Sequence, residues 1–534
     1  MKVDRVPFKA TGYFSTLIED YLDQKESLRP FYHRYPIIEN FKAQLEEKSR
    51  SFPQAHRTIL ADALATQYTG SKISEATQRN IGALREANTF TVVTGHQLNL
   101  FTGPLYFLYK IISVINLCEQ LAESYPDHHF VPVFWMASED HDFDEIDHFN
   151  FKGEKLQWDR SSGGAVGRMN TKGLDTVLEV FAAQLGNSKN ANTLKEWFKN
   201  AYLEHADLAS ATRFLANSLF GTYGLVIVDG DDVELKRLLI PYVKKDVFEG
   251  LPFEEITKSI AKLTSLSGNY KIQVNPRAIN YFYLREGMRE RLVAEGEGYR
   301  VNDTDTYFSR QALEDEMVAH PERFSPNVVA RPLYQETVLP NLCYVGGGGE
   351  LAYWLELKAY FEAMQVPFPM LLLRNSALVM SEKQYRKLER LNIKVSDLFK
   401  KQNDLVNQKI QQISKIDLDF TSLKQTLEDQ FHYMYKLTEH TDASFLGAVK
   451  AQEAKQKKGL QNLEKRLLKA QKRKLKDHVT RLTDLQNQLF PNQSLQERHG
   501  NFSELYLAYG ERLIPKLKAA LDPLAEEFLI LRDQ

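Results

Sequence analysis

The stretch Phe90-Thr-Val-Val-Thr-Gly-His-Gln-Leu-Asn-Leu-Phe-Thr-Gly-Pro-Leu-Tyr-Phe-Leu-Tyr-Lys110 decides the fold class. It begins with a β-branched run, passes through a polar loop that contains glycine, and continues into a segment with apolar residues at helical spacing. Pro104 suits the first position of that helix. A strand, a loop and a helix in this order form a βα unit, the repeating element of parallel α/β sheets.

Four further apolar runs extend this pattern along the chain. Each is bounded by polar or glycine residues and separated from the next by helical stretches: Val131–Met136, Gly224–Val228, Leu342–Val345 and Met370–Leu373. Such runs favour a parallel sheet that is covered on both faces. The segments 151–216 and 236–324 are long enough to be inserted subdomains. We therefore predict an α/β core of the nucleotide-binding type over residues 1–380, with two insertions.

The composition changes after about Ser381, where glycine and proline become rare. An imperfect 3-4 apolar repeat follows: Leu460, Leu463, Leu467, Leu475, Val479, Leu482, Leu485 and Leu489. It predicts a helical coiled-coil arm over residues 381–490 that joins two subunits, because such an apolar face would otherwise be exposed. Residues 491–534 regain aromatics and prolines, and we expect them to pack back onto the core as helices.

Charge and cysteine content exclude several classes of protein. The 534 residues include 68 Lys and Arg against 70 Asp and Glu, so no overall charge favours nucleic acid or an anionic membrane. The basic stretch 451–477 lacks interleaved aromatics, which favours a solvated coiled-coil face over a nucleic-acid site. Cys118 and Cys343 lie in apolar segments, as reduced interior thiols do. No leader or membrane span is indicated, and we expect a cytoplasmic location.

The loop after the first strand suits a phosphate group. Free backbone N–H groups and the positive end of the helix dipole stabilise negative charge there, and a histidine and a lysine could add donors. The candidate residues are Thr94, Gly95, His96, Gln97, Asn99, Gly103, Tyr106 and Lys110. A lone histidine in a loop is as often structural as functional.

Acids and imidazoles follow the second strand, where open α/β sheets bind ligands. Glu139, Asp140 and His141 form the centre of this group. Asp140 and His141 could orient or deprotonate an amine nucleophile, or hold Mg²⁺ on a polyphosphate. The alternative is an acid-rich helix start that Ser138 or Asp140 caps.

A third strand-to-helix loop consists of Gly346, Gly347, Gly348, Gly349 and Glu350. It does not match the dinucleotide fingerprint, because Leu351 occupies the position of the third glycine, and this disfavours NAD chemistry. The glycines let a ligand approach the backbone closely or simply make a tight turn. The sequence contains no P-loop, no nucleophile elbow and no zinc-type cysteine pair.

Taken together, these motifs resemble the cysteine-adding enzymes of bacillithiol biosynthesis, a cysteine ligase family. The resemblance covers nearly the whole chain and rests on six stretches: Thr94–Gln97, Gly103–Lys110, Pro132–Asp142, Phe324–Gln335, Leu339–Glu350 and Leu495–Arg498. It implies a Rossmann-type core with inserted subdomains, like that of class I synthetases, and a coiled coil that forms a homodimer.

The resemblance also implies the chemistry. The family joins the carboxyl group of L-cysteine to the amine of glucosaminyl malate, with ATP as the expected activating nucleotide and an ADP site away from the main cleft, near Glu497 and Arg498. Many members carry Gln at the position of His96, so the family does not require an imidazole there. The residues then expected to carry the catalysis are Gln97, Asn99, Asp140 and His141. Arg331 is expected to hold a malate carboxylate.

Two other functions fit the same patterns. The core could be a non-catalytic, dimeric nucleotide-binding scaffold of the same pathway. It could also be an RNA-associated synthetase relative, although the basic arm lacks the aromatics that stack on bases. Polar loops at three strand ends favour an enzyme, because unpaired polar groups in a cleft are costly to a scaffold.

Overall fold

The computed structural model describes residues 2–532. The chain divides into two compact units. The first combines the residues up to Leu378 with Gln496–Leu531, and the second begins at Val379 and runs to Leu495. The arm thus begins close to the expected position, and the chain returns to the first unit at Gln496.

A five-stranded parallel sheet forms the centre of the first unit. Its strands, in chain order, are β1 (Thr89–His96), β2 (His129–Met136), β3 (Val226–Asp229), β4 (Asn341–Gly346) and β5 (Met370–Leu373). All five coincide with the apolar runs in the sequence. Every residue of β1 and β4 is buried, as expected for strands covered on both faces. The parallel α/β fold class is therefore confirmed.

The strand order in space is β5-β4-β1-β2-β3, with every neighbouring pair parallel. The chain moves outward from β1 to β3, and then crosses back to add β4 and β5 on the other side. The order therefore reverses between β1 and β4. In open sheets of this kind, ligands bind outside the carboxyl ends of the strands at such a switch point.

Helix α1 (Tyr106–Ser124) connects β1 to β2 and is buried on almost every side. The sequence predicts a single apolar stripe, with Lys110 and Tyr106 outside it. The structure corrects this because the segment after Gln496 covers the opposite face: the Asn116 side chain donates to the Lys518 carbonyl oxygen at 2.9 Å. Lys110 is also buried, against the Gly95 carbonyl oxygen and Glu350.

The amino-terminal segment covers the sheet. Its elements are the strand Lys2–Pro7 and the helices Phe8–Thr11, Thr16–Leu22, Phe41–Ser51, Gln54–Gln67 and Glu75–Ala83. Ser15 and Ser74 cap two of these helices by accepting backbone N–H groups three residues further on. Phe41 and Leu45 pack into the apolar cluster that also contains Val92 of β1.

The first insertion is mainly helical. It contains the helix Phe143–Ile146, the hairpin of His148–Phe151 and Glu154–Gln157, and the helices Leu174–Leu185, Lys189–Tyr202 and Leu208–Phe220. Its aromatic rings surround Phe101 of the loop after β1, with the centroids of Phe149, Phe181 and Phe198 5.3 to 5.4 Å away. The insertion therefore fixes the conformation of that loop.

The second insertion combines helices with an antiparallel sheet. Its helices are Val233–Glu249, Leu251–Leu266 and Arg310–Ala319, and its strands are Tyr281–Arg285, Met288–Glu295, Gly298–Val301, Tyr307–Ser309 and Phe324–Pro326. Helix Ala330–Val338 then leads into β4. Helix α2 (Gly348–Trp354) and the helix Lys358–Met364 follow, in place of the single helix that the sequence predicts.

The second unit is helical, with the elements Glu382–Arg390, Gln402–Ile413, Thr421–Thr438, Ala443–Lys474 and Lys476–Leu489. Thr421–Thr438 and Ala443–Lys474 pair in an antiparallel way, with Lys424 bonded to Glu464 at 2.7 Å and Lys457 to Glu428 at 3.1 Å. The residues of the predicted apolar repeat differ in how deeply they are buried. Leu482, Leu485 and Leu489 are buried, whereas Leu463 is 56% exposed.

The exposure of Leu463 in this repeat leads to a prediction about the oligomeric state of the chain. We expect a dimer in light scattering, and we expect Leu463→Glu combined with Leu467→Glu to shift it to monomer at micromolar concentration, because charge on a coiled-coil seam opposes pairing. Lys469→Glu, an exposed change on the same helix, is the control and should leave the mass unchanged. A monomeric unmodified chain, or an unchanged dimer in the double variant, would contradict the prediction.

The returning segment contains the helices Gln496–His499, Phe502–Tyr509 and Leu513–Ala520 and ends in the strand Glu527–Arg532. The expectation of helices alone was wrong, because Phe528–Leu531 is a buried apolar run of strand length. This strand belongs to a three-stranded sheet with Lys2–Pro7 and Ser376–Met380. Among residues 2–532, no helix combines the length and apolarity needed to cross a bilayer.

Candidate active site

A cavity of about 860 Å³ lies at the switch point of the central sheet. Residues 95–97 after β1, 135–141 at the end of β2 and 347–350 after β4 line it, together with parts of the second insertion. The three loops that the sequence singles out are therefore neighbours in space. This is the position at which open α/β sheets bind their ligands.

His96 is held as a neutral imidazole in the floor of the cavity. Burial, and then the nearby positive charge of Lys110, lower the pKa of His96 to about 3. Its ring packs against Tyr106 and Phe107, with centroids at 5.5 and 5.1 Å. Nε2 has no hydrogen-bond partner within the described part of the chain. A buried, unsatisfied ring nitrogen beside a cavity is available to a ligand.

Gln97 and Asn99 tie the loop after β1 to the loop after β2. The Gln97 amide donates to Asp140 Oδ2 at 3.1 Å and to Glu145 Oε2 at 2.7 Å. The Asn99 amide donates to the Glu145 carbonyl oxygen at 2.9 Å. Gln97 lines the cavity, whereas Asn99 supports the loop from behind.

Gly103 makes the turn between this loop and α1. Its φ is +60°, and a Cβ atom there would lie 2.4 Å from Asn99 Cβ. Only glycine therefore fits. The Asn501 side chain donates to the Gly103 carbonyl oxygen at 2.8 Å, which holds the turn from the carboxyl-terminal side.

Gly103→Ala should accordingly lower the free energy of unfolding by about 1–3 kcal/mol, through backbone strain and the clash with Asn99. Chemical denaturation measures this change. Gly82→Ala is the matched control, because Gly82 is an exposed helical glycine with no atom within 4 Å of an added Cβ. It should be neutral or slightly stabilising. Equal stability of the two variants would show that the turn tolerates a side chain.

Lys110 and Glu350 form a buried ion pair between the first and third loops. Lys110 Nζ lies 2.6 Å from Glu350 Oε2 and donates to the Gly95 carbonyl oxygen at 2.7 Å. Tyr344 donates to Glu350 Oε1 at 2.6 Å, and the Gly347 N–H to Oε2 at 2.8 Å. Burial raises the pKa of Glu350, but Lys110 and these donors outweigh it and lower the pKa to about 2. Lys110 is thus mainly a fixed structural cation.

Asp140 and His141 stand at the opposite end of the cavity. Burial would raise the pKa of Asp140, but the His141 side chain 3.6 Å away, a hydrogen bond from the Gln97 side chain and another from the His141 backbone N–H outweigh it and hold the pKa well below its usual range. Asp140 is therefore a carboxylate with little affinity for a proton, suited to binding a cation or an N–H group. His141 receives a hydrogen bond on Nδ1 from Arg289 at 2.6 Å.

Glu139, which precedes Asp140, belongs to a buried network of charged side chains. Its Oε1 lies 2.6 Å from Lys236 Nζ, which also contacts Asp231 at 3.1 Å. Arg168 binds Asp231 through two N–H groups at 2.6 and 2.7 Å. Asp231 follows β3, so the network links the ends of β2 and β3. Glu139 lines the cavity but already has a partner for its charge.

Two arginines line the end of the cavity that also contains Lys110 and Arg498, which we call the cation-rich end. Arg331 donates to Gln335 and Tyr353 at 3.1 and 3.2 Å. Arg374 binds Glu497 Oε1 at 2.8 Å, and its Nε has no hydrogen-bond partner among residues 2–532. With Lys110 and Arg498, this end presents four cations near the carboxylates of Glu350 and Glu497. The excess positive charge favours an anionic ligand.

The predicted site residues divide into those that line the cavity and those that support it. The first group contains Gly95, His96, Gln97, Tyr106, Lys110, Glu139, Asp140, His141, Arg331, Gly347, Gly348, Gly349, Glu350 and Arg498. The second contains Thr94, Asn99, Gly103, Gly346 and Glu497. Thr94, for example, donates to the Val345 carbonyl oxygen at 2.7 Å and so joins β1 to β4.

The sequence patterns do not identify several of the residues that line the cavity. Arg289, Phe282 and residues 273–277 come from the second insertion, and Arg374 follows β5. Arg498 lines this same cavity, so the structure does not place it in a cleft of its own with Glu497, which is buried behind Arg374. Within residues 2–532, no group of three or more His, Cys, Asp or Glu side chains is arranged to hold a metal ion.

Comparison with protein families gives two matches that together span almost the whole chain. Residues 1–375 match the family model described as bacillithiol biosynthesis BshC, N-terminal Rossmann-like domain. Residues 377–532 match bacillithiol biosynthesis BshC, C-terminal coiled-coil domain. The predicted Rossmann-type core and coiled-coil arm agree with these descriptions.

Curated relatives carry the same name. A protein of Flavobacterium johnsoniae, "Putative cysteine ligase BshC", is 53% identical over 531 residues, which cover 99% of this chain and 100% of that protein. One of Christiangramia forsetii with the same name is 55% identical over 535 residues, 99% of each chain. A solved structure titled as a putative arginyl-tRNA synthetase of Campylobacter jejuni covers 83% of this chain and 96% of its own at 12% identity, with a TM-score of 0.22, too low to show a shared fold.

Proposed function

Because the chain belongs to the BshC family of bacillithiol biosynthesis, we propose that it is an amide-forming ligase that joins the carboxyl group of L-cysteine to the amine of glucosaminyl malate. The observation that carries this proposal is the cavity at the switch point of the sheet. One end has an excess of cations, and the other has a carboxylate of low pKa. Such a cavity suits two anionic reactants and one amine.

Activation of the cysteine carboxyl group is the chemical requirement. A carboxylate is a poor electrophile, so ATP must first convert it into a mixed anhydride with phosphate or with AMP, and that phosphate or AMP leaves when the amine attacks. We propose ATP for this step, with Mg²⁺ carried on its phosphates. Arg374 Nε, which is buried and has no hydrogen-bond partner among residues 2–532, and the guanidinium of Arg498 are the donors suited to phosphate oxygens. Gly347 to Gly349 leave room for the backbone to approach them.

The amine is assigned to the Asp140 end. The carboxylate, held by Gln97, can accept hydrogen bonds from the sugar amine and orient its lone pair. Its low pKa makes it an orienting group, in place of the proton acceptor that the sequence suggests. Arg331 remains the proposed partner of a malate carboxylate, because it lines the cavity and its guanidinium can bind a carboxylate through two N–H groups.

The same proposal covers assembly and location. We propose a homodimer formed through the arm and no nucleic-acid partner. The two cysteines, Cys118 and Cys343, are buried free thiols, and burial raises the pKa of each, so neither is a nucleophile. Free thiols persist in reducing compartments, and we propose the cytoplasm.

The test is product formation by the purified full chain. L-cysteine, glucosaminyl malate, ATP and Mg²⁺ should give the cysteinyl amide, detected by mass spectrometry, together with ADP or AMP. Omitting each component identifies which are required, and replacing ATP by ADP tests the activating nucleotide. Calorimetric binding of ATP or ADP without any amide product, under every combination of components, would support the non-catalytic scaffold instead. No binding of either nucleotide, with both co-substrates present, would exclude the ATP-dependent reaction.

A further inference from the structure

Arg289 is a polar side chain of the cavity wall that the sequence patterns do not identify and that several contacts hold in place. Its Nε donates to Ser325 Oγ at 3.0 Å and its Nη2 to the Pro326 carbonyl oxygen at 3.1 Å. The guanidinium carbon lies 3.9 Å from the centre of the Phe282 ring. The residue is 8% exposed. These contacts leave Nη1 directed at one partner, His141.

The hydrogen bond from Arg289 Nη1 to His141 Nδ1, at 2.6 Å, decides where the imidazole carries its proton. A guanidinium group keeps its protons at any pH a protein experiences, so it can only donate. Nδ1 must then offer a lone pair. In a neutral imidazole with Nδ1 as acceptor, the proton is on Nε2.

The other charged groups around His141 do not reverse this arrangement. Asp140 Oδ1 lies 3.6 Å from Nδ1, too far for a hydrogen bond, and it accepts the His141 backbone N–H at 2.8 Å. Glu139 is paired with Lys236. Phe282, the neighbour on the insertion side, contributes only an aromatic face, with its centroid 5.4 Å from that of the imidazole.

We propose that Arg289 is a positioning residue that keeps His141 neutral with its proton on Nε2, so that His141 donates a hydrogen bond to a substrate oxygen and does not act as a base. The inference deepens the proposed ligase function and rests on it for the identity of the substrate. The His141 side chain is half exposed and lines the cavity, so its Nε2–H can reach a bound ligand. The oxygen it meets is a carboxylate or acyl oxygen of one of the two co-substrates.

The first arm of the test measures the proton directly and needs no activity. Nitrogen-15 spectra of the full chain labelled at histidine should show, for His141, one protonated and one lone-pair nitrogen, with the lone pair on Nδ1. His141→Gln assigns the signal by its loss. In Arg289→Met the two tautomers should interconvert. A proton on Nδ1, or a doubly protonated ring at pH 7, would overturn the proposal.

The second arm separates donor from base by isosteric substitution. The amide nitrogen of Gln reaches the position of Nε2, whereas that of Asn reaches the position of Nδ1. His141→Gln should keep the rate of amide formation within about tenfold of the unmodified chain, and His141→Ala should lose about 100-fold, as when a catalytic hydrogen-bond donor is removed. Arg289→Lys should retain more activity than Arg289→Met.

Equal loss in His141→Gln and His141→Ala, with thermal midpoints unchanged, would show that the imidazole accepts a proton and would overturn the donor role. If the unmodified chain forms no amide, the proposed function fails, and the spectra still decide the protonation of His141. The two failures are therefore distinguishable.

Discussion

Asp140→Asn is expected to slow amide formation by about 100-fold or more, because it removes the only charge that orients the amine at this end of the cavity. The carboxylate accepts hydrogen bonds on both oxygens, from the His141 backbone N–H at 2.8 Å and from Gln97 at 3.1 Å. Asparagine has one acceptor oxygen, so one of these donors then faces an NH₂ group. The free energy of unfolding should fall by about 1–2 kcal/mol.

Glu145→Gln is the matched control for this prediction. Glu145 accepts a hydrogen bond from the same Gln97 amide, at 2.7 Å, but does not line the cavity. Its substitution should change the rate of amide formation by less than about threefold, since exposed polar contacts contribute little. Thermal midpoints report folding in both variants. A near-normal rate in Asp140→Asn would move the amine site to another part of the cavity.

Lys110→Met is expected to lower the free energy of unfolding by about 2–3 kcal/mol, because it leaves the partly buried Glu350 carboxylate without its counter-charge. The pKa of Glu350 is lowered to about 2, with burial opposing and Lys110 the main cause of the lowering. Stability from this group is therefore fully present above its unfolded pKa and is lost as the pH falls toward 2. In Lys110→Met the loss should begin at higher pH. Chemical denaturation between pH 2 and pH 8 measures both effects.

Lys48→Met provides the comparison. Lys48 and Glu336 form a second buried ion pair, with side chains 1% and 0% exposed, and neither residue lines the cavity. This variant should also lose several kcal/mol. Only Lys110→Met should in addition weaken nucleotide binding, because Lys110 holds Gly95 and Glu350 in place. Unchanged nucleotide affinity in a folded Lys110→Met protein would show that the two loops keep their positions without the cation.

The sequence predicts the central sheet well because its signal is local. A buried parallel strand must be apolar along its whole length, and five such runs, beginning with Thr89–His96, became the five strands. The loops at their carboxyl ends could be assigned to one cleft for the same reason, since parallel strands share that edge. Arg374 could have been predicted in the same way, because it is the charged residue directly after the apolar run Met370–Leu373.

Arg289 could not be predicted in this way. It lies in the antiparallel sheet of an insertion, on a strand in which Arg289 and Leu292 are the buried residues, and no local spacing relates it to His141. Its role depends on a contact between residues 148 positions apart. Likewise, the burial of Lys110 depends on its contacts with Glu350 and the Gly95 carbonyl oxygen, which a periodicity within α1 does not report.

Because the first unit consists of two stretches that lie far apart in the sequence, it cannot fold completely early in translation. Residues 379–495 must be translated before the segment that begins at Gln496 leaves the exit tunnel. Until then, the carbonyl oxygens of Phe101 and Gly103 lack Asn501, which donates to both at 2.8 Å. The arm contains mostly local contacts and can fold during this interval. The nascent polypeptide therefore lacks these contacts until the segment after Gln496 has been translated, and premature termination within the arm releases a chain that cannot make them.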